Sequence, residues 1–123
     1  MNKEELKRRT KQFALRVIKL VNALPSNTTG WAIGKQLIRC GTSVGANYRA
    51  TCRSRSGVEF IAKIGIVVEE ADESVYWLEI IIESGLMKKE FIEPLLKEAN
   101  EITAIMVASR KSASKNKTAN LKS

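Results

Sequence analysis

Histidine is absent from the 123-residue sequence. Its absence removes His-based general acid/base catalysis, Ser-His triads and nearly every zinc-site pattern. Cysteine is scarce, limited to Cys40 and Cys52. On one continuous helix their spacing sets them about 18 Å apart, far past the ~7 Å Cα limit of a disulfide. Two small buried thiols are the expectation. Two prolines and seven glycines leave little material for turns, which disfavours a many-stranded β fold. No apolar run approaches the ~18 residues of a membrane span. The opening Met1-Asn2-Lys3-Glu4-Glu5-Leu6 is charged and lacks the apolar segment of a secretory signal, so a cytoplasmic protein without membrane contact is expected.

What is present suits one domain around one hydrophobic core. The apolar fraction of 44% is ordinary for a globular chain. Charge, by contrast, is segregated. Residues 1–55 hold twelve Lys/Arg against two acids, residues 56–107 hold four Lys against eleven acids, and residues 108–123 hold five Lys/Arg and no acid. Such asymmetry points to a polyanion-binding surface, to charge-complementary subunits, or to solvated helix faces that neutralise one another within the bundle.

Periodicity predicts four helices, at about residues 4–24, 29–53, 57–84 and 90–110. In the first, Leu6, Thr10, Phe13, Val17, Leu20, Val21 and Leu24 recur at 3- and 4-residue steps, and Pro25 ends it. In the second, Ile33, Leu37, Cys40, Val44, Tyr48 and Thr51 share a face. Gly30, Gly34, Gly41 and Gly45 interrupt it, each internal glycine costing up to about 1 kcal/mol against alanine. Close approach of a neighbouring helix backbone would offset that cost. Ser56 and Glu59 have capping-box spacing before the third helix, and Gly85 is placed to end it. The fourth carries Phe91, Leu95, Ala99, Ile102, Ile105 and Met106, with Pro94 expected in its first turn. The fold class is therefore all-α, an antiparallel up-down-up-down four-helix bundle over residues 1–110, followed by a disordered basic tail over 111–123.

The third helix is apolar on two sides. Ile61, Ile64, Val68, Ala71, Val75, Leu78 and Ile82 form one stripe, while Ile66, Tyr76, Trp77 and Ile80 point the other way among Glu69 and Glu73. A helix apolar on both faces is usually buried on both, so this second face is read as an oligomer interface, the alternative being a rotated helix phase with the patch covered by the tail or the turn between the first two helices. On the second helix, Lys35, Arg39, Arg49 and Arg53 lie opposite the core stripe. Lys7, Arg8, Lys11 and Lys19 occupy the outward arc of the first, and Arg55 continues the patch. These cations suit phosphate oxygens. No solvent-facing aromatic is expected beside them, so base readout from single strands is not indicated.

The run Gln36-Leu37-Ile38-Arg39-Cys40-Gly41-Thr42-Ser43-Val44-Gly45-Ala46-Asn47-Tyr48-Arg49-Ala50 resembles the second-helix signature of the four helix bundle protein family, which includes the intervening-sequence proteins encoded within bacterial large-subunit ribosomal RNA genes. Glu59-Phe60-Ile61-Ala62-Lys63-Ile64, Glu69-Glu70-Ala71-Asp72-Glu73-Ser74 and Leu95-Leu96-Lys97-Glu98-Ala99-Asn100-Glu101 are similar to its third- and fourth-helix blocks. The resemblance implies a ring-shaped homopentamer. It extends in fold to accessory proteins of diversity-generating retroelements, and so implies nucleic acid and a reverse transcriptase as partners. Asn47 is expected as a structural amide bonding across the bundle, to Ser43, Ser74 or a backbone carbonyl, since a buried polar group left unsatisfied costs roughly 1–3 kcal/mol.

Two functions remain open on this reading. One is a non-enzymatic homo-oligomeric scaffold that binds RNA or DNA through the basic surface. The other is a protein-interaction adaptor with no direct nucleic-acid role. No catalytic residue, cofactor or metal is expected: bundle metal sites need inward-facing Glu, usually as Glu-x-x-His, and Glu69, Glu70, Asp72 and Glu73 fall mostly off the core stripe.

Overall fold

A computed structural model describes residues 1–122, with side chains through residue 116. Its helices are α1 (Lys3–Ala23), α2 (Thr28–Cys52), α3 (Gly57–Glu83) and α4 (Lys89–Lys122). Three of the starts are set by side chains that accept an otherwise unpartnered backbone N–H. Asn2 accepts from Glu5 N at 2.8 Å, Asn27 from Gly30 N at 2.8 Å and Ser56 from Glu59 N at 3.1 Å. Glu59 reaches back one residue further than a simple capping box requires, accepting from the backbone N–H of Arg55 at 3.3 Å. The Arg55 hydrogen bond and the neighbouring Lys63 are among the causes that hold the Glu59 carboxyl below its ordinary range, Lys63 the larger. At the other end of α3, Gly85 takes φ +73°. Leu86 N donates to Ile81 O and Gly85 N to Ile82 O, the paired bonds of a left-handed helix stop.

The short connections force each helix to lie antiparallel to the one before it, giving an up-down-up-down four-helix bundle. α2 packs along both α1 and α3, α3 packs along α4, and α1 meets α4 only sparsely. The core runs through Phe13 and Val17 of α1, Leu37 and Val44 of α2, Ile64, Leu78 and Ile81 of α3, and Ile92, Ile102 and Met106 of α4.

Pro94 is the sixth residue of α4 rather than a first-turn residue, so its missing N–H deprives the Glu90 carbonyl of its usual donor. Both residues are exposed, so that carbonyl is not sealed off from solvent. α4 also continues past residue 110. Of the tail expected over 111–123, the backbone continues α4 to Lys122, while the side chains from residue 117 and all of Ser123 lie outside the described residues.

The phase of α3 differs from the stripe read in the sequence. Val67, Ser74 and Ile81 are fully buried, while Ile61, Val68 and Ile82 are only partly covered. Apolar residues at nearly every step, as in Ile80-Ile81-Ile82, leave the helix phase undetermined by periodicity. The inward Ser74 resolves it: its hydroxyl donates to Glu70 O at 2.8 Å and lies 3.4 Å from the Cys40 thiol of α2. On α4, Phe91 is 62% exposed and Ile92 takes the core position instead.

Trp77 and Ile80, expected on an outward face of α3, rest against their own core. Trp77 sits at the edge of that face. Its indole N–H donates to Glu73 at 3.2 Å, and its ring meets Tyr76 edge-on with centroids 5.0 Å apart. Ile66 and Tyr76 remain exposed, as does Glu69; Glu73 is half-covered.

Candidate nucleic-acid interface

The α1/α2 seam is built from missing side chains. A Cβ added at Gly41 would stand 2.8 Å from a methyl of Val17, and one at Gly45 would stand 3.2 Å from Thr10 Oγ1. Gly34 faces Val21 in the same way at 3.1 Å. The four-residue spacing of Gly41 and Gly45 puts both on the face turned toward α1, and their lack of Cβ atoms draws the two backbones together. Thr10 is fully buried there and satisfies its hydroxyl on Leu6 O at 2.8 Å.

Along the outer edge of this seam lies a cleft of about 210 Å³. Lys7 and Lys11 of α1 and Arg49 of α2 line it, over a floor of Ala14, Gly45 and Ala46. Small floor residues leave the three long cations around one shallow cleft. Lys7 is shared with Glu4 at 3.2 Å, an exposed contact on the same helix, and Lys11 and Arg49 are open to solvent.

The remaining cations of the expected patch are dispersed. Lys35 lies at the opposite end of the same seam, in a depression beside Trp31. Lys19 turns the other way, with Arg16, onto a groove of about 350 Å³ between α1 and α4, whose apolar lining includes Leu20, Met87 and Phe91. Arg39 faces α3, pairing with Glu70 at 3.4 Å and more closely with Glu73. Basic α2 and acidic α3 thus neutralise each other at this point within a single chain. Burial works against the Glu73 carboxylate, but Arg39 and the Trp77 indole outweigh it and hold the group below the usual carboxylate range. Arg8, Arg53 and Arg55 are exposed on the surface and none lines the cleft.

One residue of the signature region bonds differently from the expectation, and the cysteines are free thiols as expected. The Asn47 amide donates to Ser43 O of its own helix at 2.9 Å rather than across the bundle. It is half-buried, and the carbonyl one turn back lies within its reach before any neighbouring helix does. Cys40 is buried and Cys52 half-buried, both as free thiols, and burial pushes the Cys40 thiol up.

Trp31 overturns the expectation that no aromatic faces solvent beside the patch: it is 67% exposed. The signal was available in its position. Trp31 and Lys35 stand two residues either side of core Ile33, which turns both about 200° away from it.

Among the described residues, no helix is long and apolar enough to cross a membrane. The 23S rRNA-intervening sequence protein family matches residues 2–108. A crystal structure of a protein of unknown function from the S23 ribosomal protein family of Bacteroides thetaiotaomicron VPI-5482 superposes with a TM-score of 0.83 at 32% identity, covering 90% of this chain and 99% of that one. No curated protein matches the chain. With nearly the whole bundle inside the family match, the chain belongs to the 23S rRNA-intervening sequence protein family.

Proposed function

We propose that this protein is a non-enzymatic, cytoplasmic, homo-oligomeric scaffold that binds RNA or DNA through the basic outer surface of α1 and α2. The observation that carries the reading is that Lys7, Lys11 and Arg49 line one small-floored cleft. Cations from two helices meeting over a shallow floor suit the oxygens of a phosphodiester. Such contacts position a backbone without reading sequence, so binding is salt-dependent and weakly selective. Self-association is supported by Ile66 and Tyr76, two large apolar side chains exposed on α3. The family resemblance makes five the expected number of copies, and repetition around a ring multiplies the phosphates engaged.

The test is a filter-binding salt titration on RNA and DNA. Replacing Lys7, Lys11 and Arg49 together by Gln is expected to flatten the slope of log K against log salt by about 2 to 3, close to one per phosphate contact. The pair Lys88→Gln and Lys89→Gln, on residues outside the cleft, serves as the control and leaves the slope unchanged. Absence of binding by the wild-type protein at low ionic strength would sink the reading.

A further inference from the structure

Trp31 is the most exposed large apolar side chain among the described residues. Its backbone is nevertheless firmly held. Trp31 N donates to Asn27 O at 2.9 Å, and Asn27 also caps the helix through Gly30 N. Gly30 presses against the Pro25 carbonyl so closely that a Cβ there would have no room. The indole thus projects from a rigid helix start.

Its surroundings combine apolar residues such as Val21 and Ile38 with polar ones. Trp31 borders an open depression of about 370 Å³ lined also by Asn22, Ser26, Pro25 and Lys35. Lys35 follows Trp31 by one helical turn and so lies on the same side of α2. A flat aromatic face beside an ammonium, with a carboxamide and a hydroxyl close by, matches a nucleotide: base on ring, phosphate on cation, base edge on amide. An apolar protein partner would leave Lys35, Asn22 and Ser26 poorly matched. The depression and the Lys7/Lys11/Arg49 cleft lie at opposite ends of one seam, Trp31 and Arg49 being about 27 Å apart along α2.

We infer that Trp31 and Lys35 form a base-stacking platform at one end of the α1/α2 seam, so that the nucleic acid this protein takes is single-stranded, with an unpaired base on the indole. The inference rests on the proposed nucleic-acid reading. A duplex keeps its bases stacked on one another and offers the indole none, whereas the phosphate cleft serves either form.

Fluorescence decides it. In a Trp77→Phe background Trp31 is the only indole, and a 12-nucleotide single-stranded RNA is titrated against a perfectly paired duplex of the same sequence. The single strand is expected to quench Trp31 and the duplex to leave it unchanged. Trp31→Ala should lose about tenfold in affinity for the single strand and nothing for the duplex, while Trp31→Phe retains most of the binding. Undiminished single-strand affinity in Trp31→Ala, or unchanged Trp31 emission in a complex that forms, overturns the platform and leaves the phosphate cleft standing. A fall in mass of Trp31→Ala by light scattering also overturns it, since the indole then belongs to a subunit contact. Failure of both nucleic acids to bind the wild-type protein removes the underlying reading, and the platform with it.

Discussion

α1 meets its two neighbours by opposite means. Against α2 it closes where side chains are missing, with Gly41 on Val17 and Gly45 on Thr10. Against α4 the contact is sparse: a wide apolar groove stays open beside Phe91, and Arg9 reaches over to Glu98 with two hydrogen bonds of 2.8 and 2.6 Å. The difference shows that seam volume, rather than hydrophobicity alone, decides how near two helices come. Where volume is removed, packing is intolerant of change and the rim is left as a shallow cleft lined by cations. Where it is kept, a polar pair spans a gap that packing leaves.

The sharpest way to break this contrast is to fill the tight seam. Gly41→Leu drives a branched side chain into the buried and rotationally stiff Val17, and should destabilise the fold by about 3 kcal/mol in urea unfolding. A loss near zero would mean that the backbones separate freely, and the contrast would vanish. A smaller effect is expected on the loose side. Arg9→Ala leaves Glu98, whose side chain is 18% exposed, without its main partner, and should cost about 1 kcal/mol because water still reaches the pair.

The smallest effect concerns α2 and α3, and appears only in acid. Glu73 has a folded pKa below its ordinary value, so its contribution to stability is complete above about pH 4.3 and fades as pH falls through the lower folded value. Arg39→Gln removes the guanidinium and should flatten this part of the acid limb, read as urea midpoints between pH 5 and pH 2. An unaltered limb would show that the Arg39 contact does not govern the titration.

Local signals in the sequence reached most of the architecture. Pro25, Ser56 and Gly85 act through backbone chemistry within a few residues, so these helix ends were legible. Gly34, Gly41 and Gly45 were legible as a close approach, which here is to α1, whereas Gly30 meets the Pro25 carbonyl of the preceding turn. What depends on rotation about a helix axis was harder to read. α3 carries apolar residues all round, and its true phase turns on Ser74 meeting Cys40, a contact between residues far apart in sequence. Asn47 has the character of a cross-bundle tie but is served by its own helix.

The candidate site was legible as a set of charges and not as a place. Lys7, Lys11 and Arg49 share a cleft, Lys35 stands at the far end of the seam, Lys19 faces another groove and Arg39 is occupied by carboxylates. Only the relative rotation of α1, α2 and α3 separates these cases, and charge counting carries no rotation. Trp31 escaped because large aromatics default to the core, although its offset from Ile33 pointed outward.

The thin contact between the first and last helices has a dynamic meaning. A rod fastened along one flank behaves as a flap, and the glycine seam is its hinge line. Partial opening is expected to begin with α1 parting from α4, at less free energy than loss of the whole fold, and to be read as faster amide exchange in α1 than in α3. An anion bound jointly by Lys11 and Arg49 would fasten α1 to α2 along that hinge line and leave the α4 side free to open.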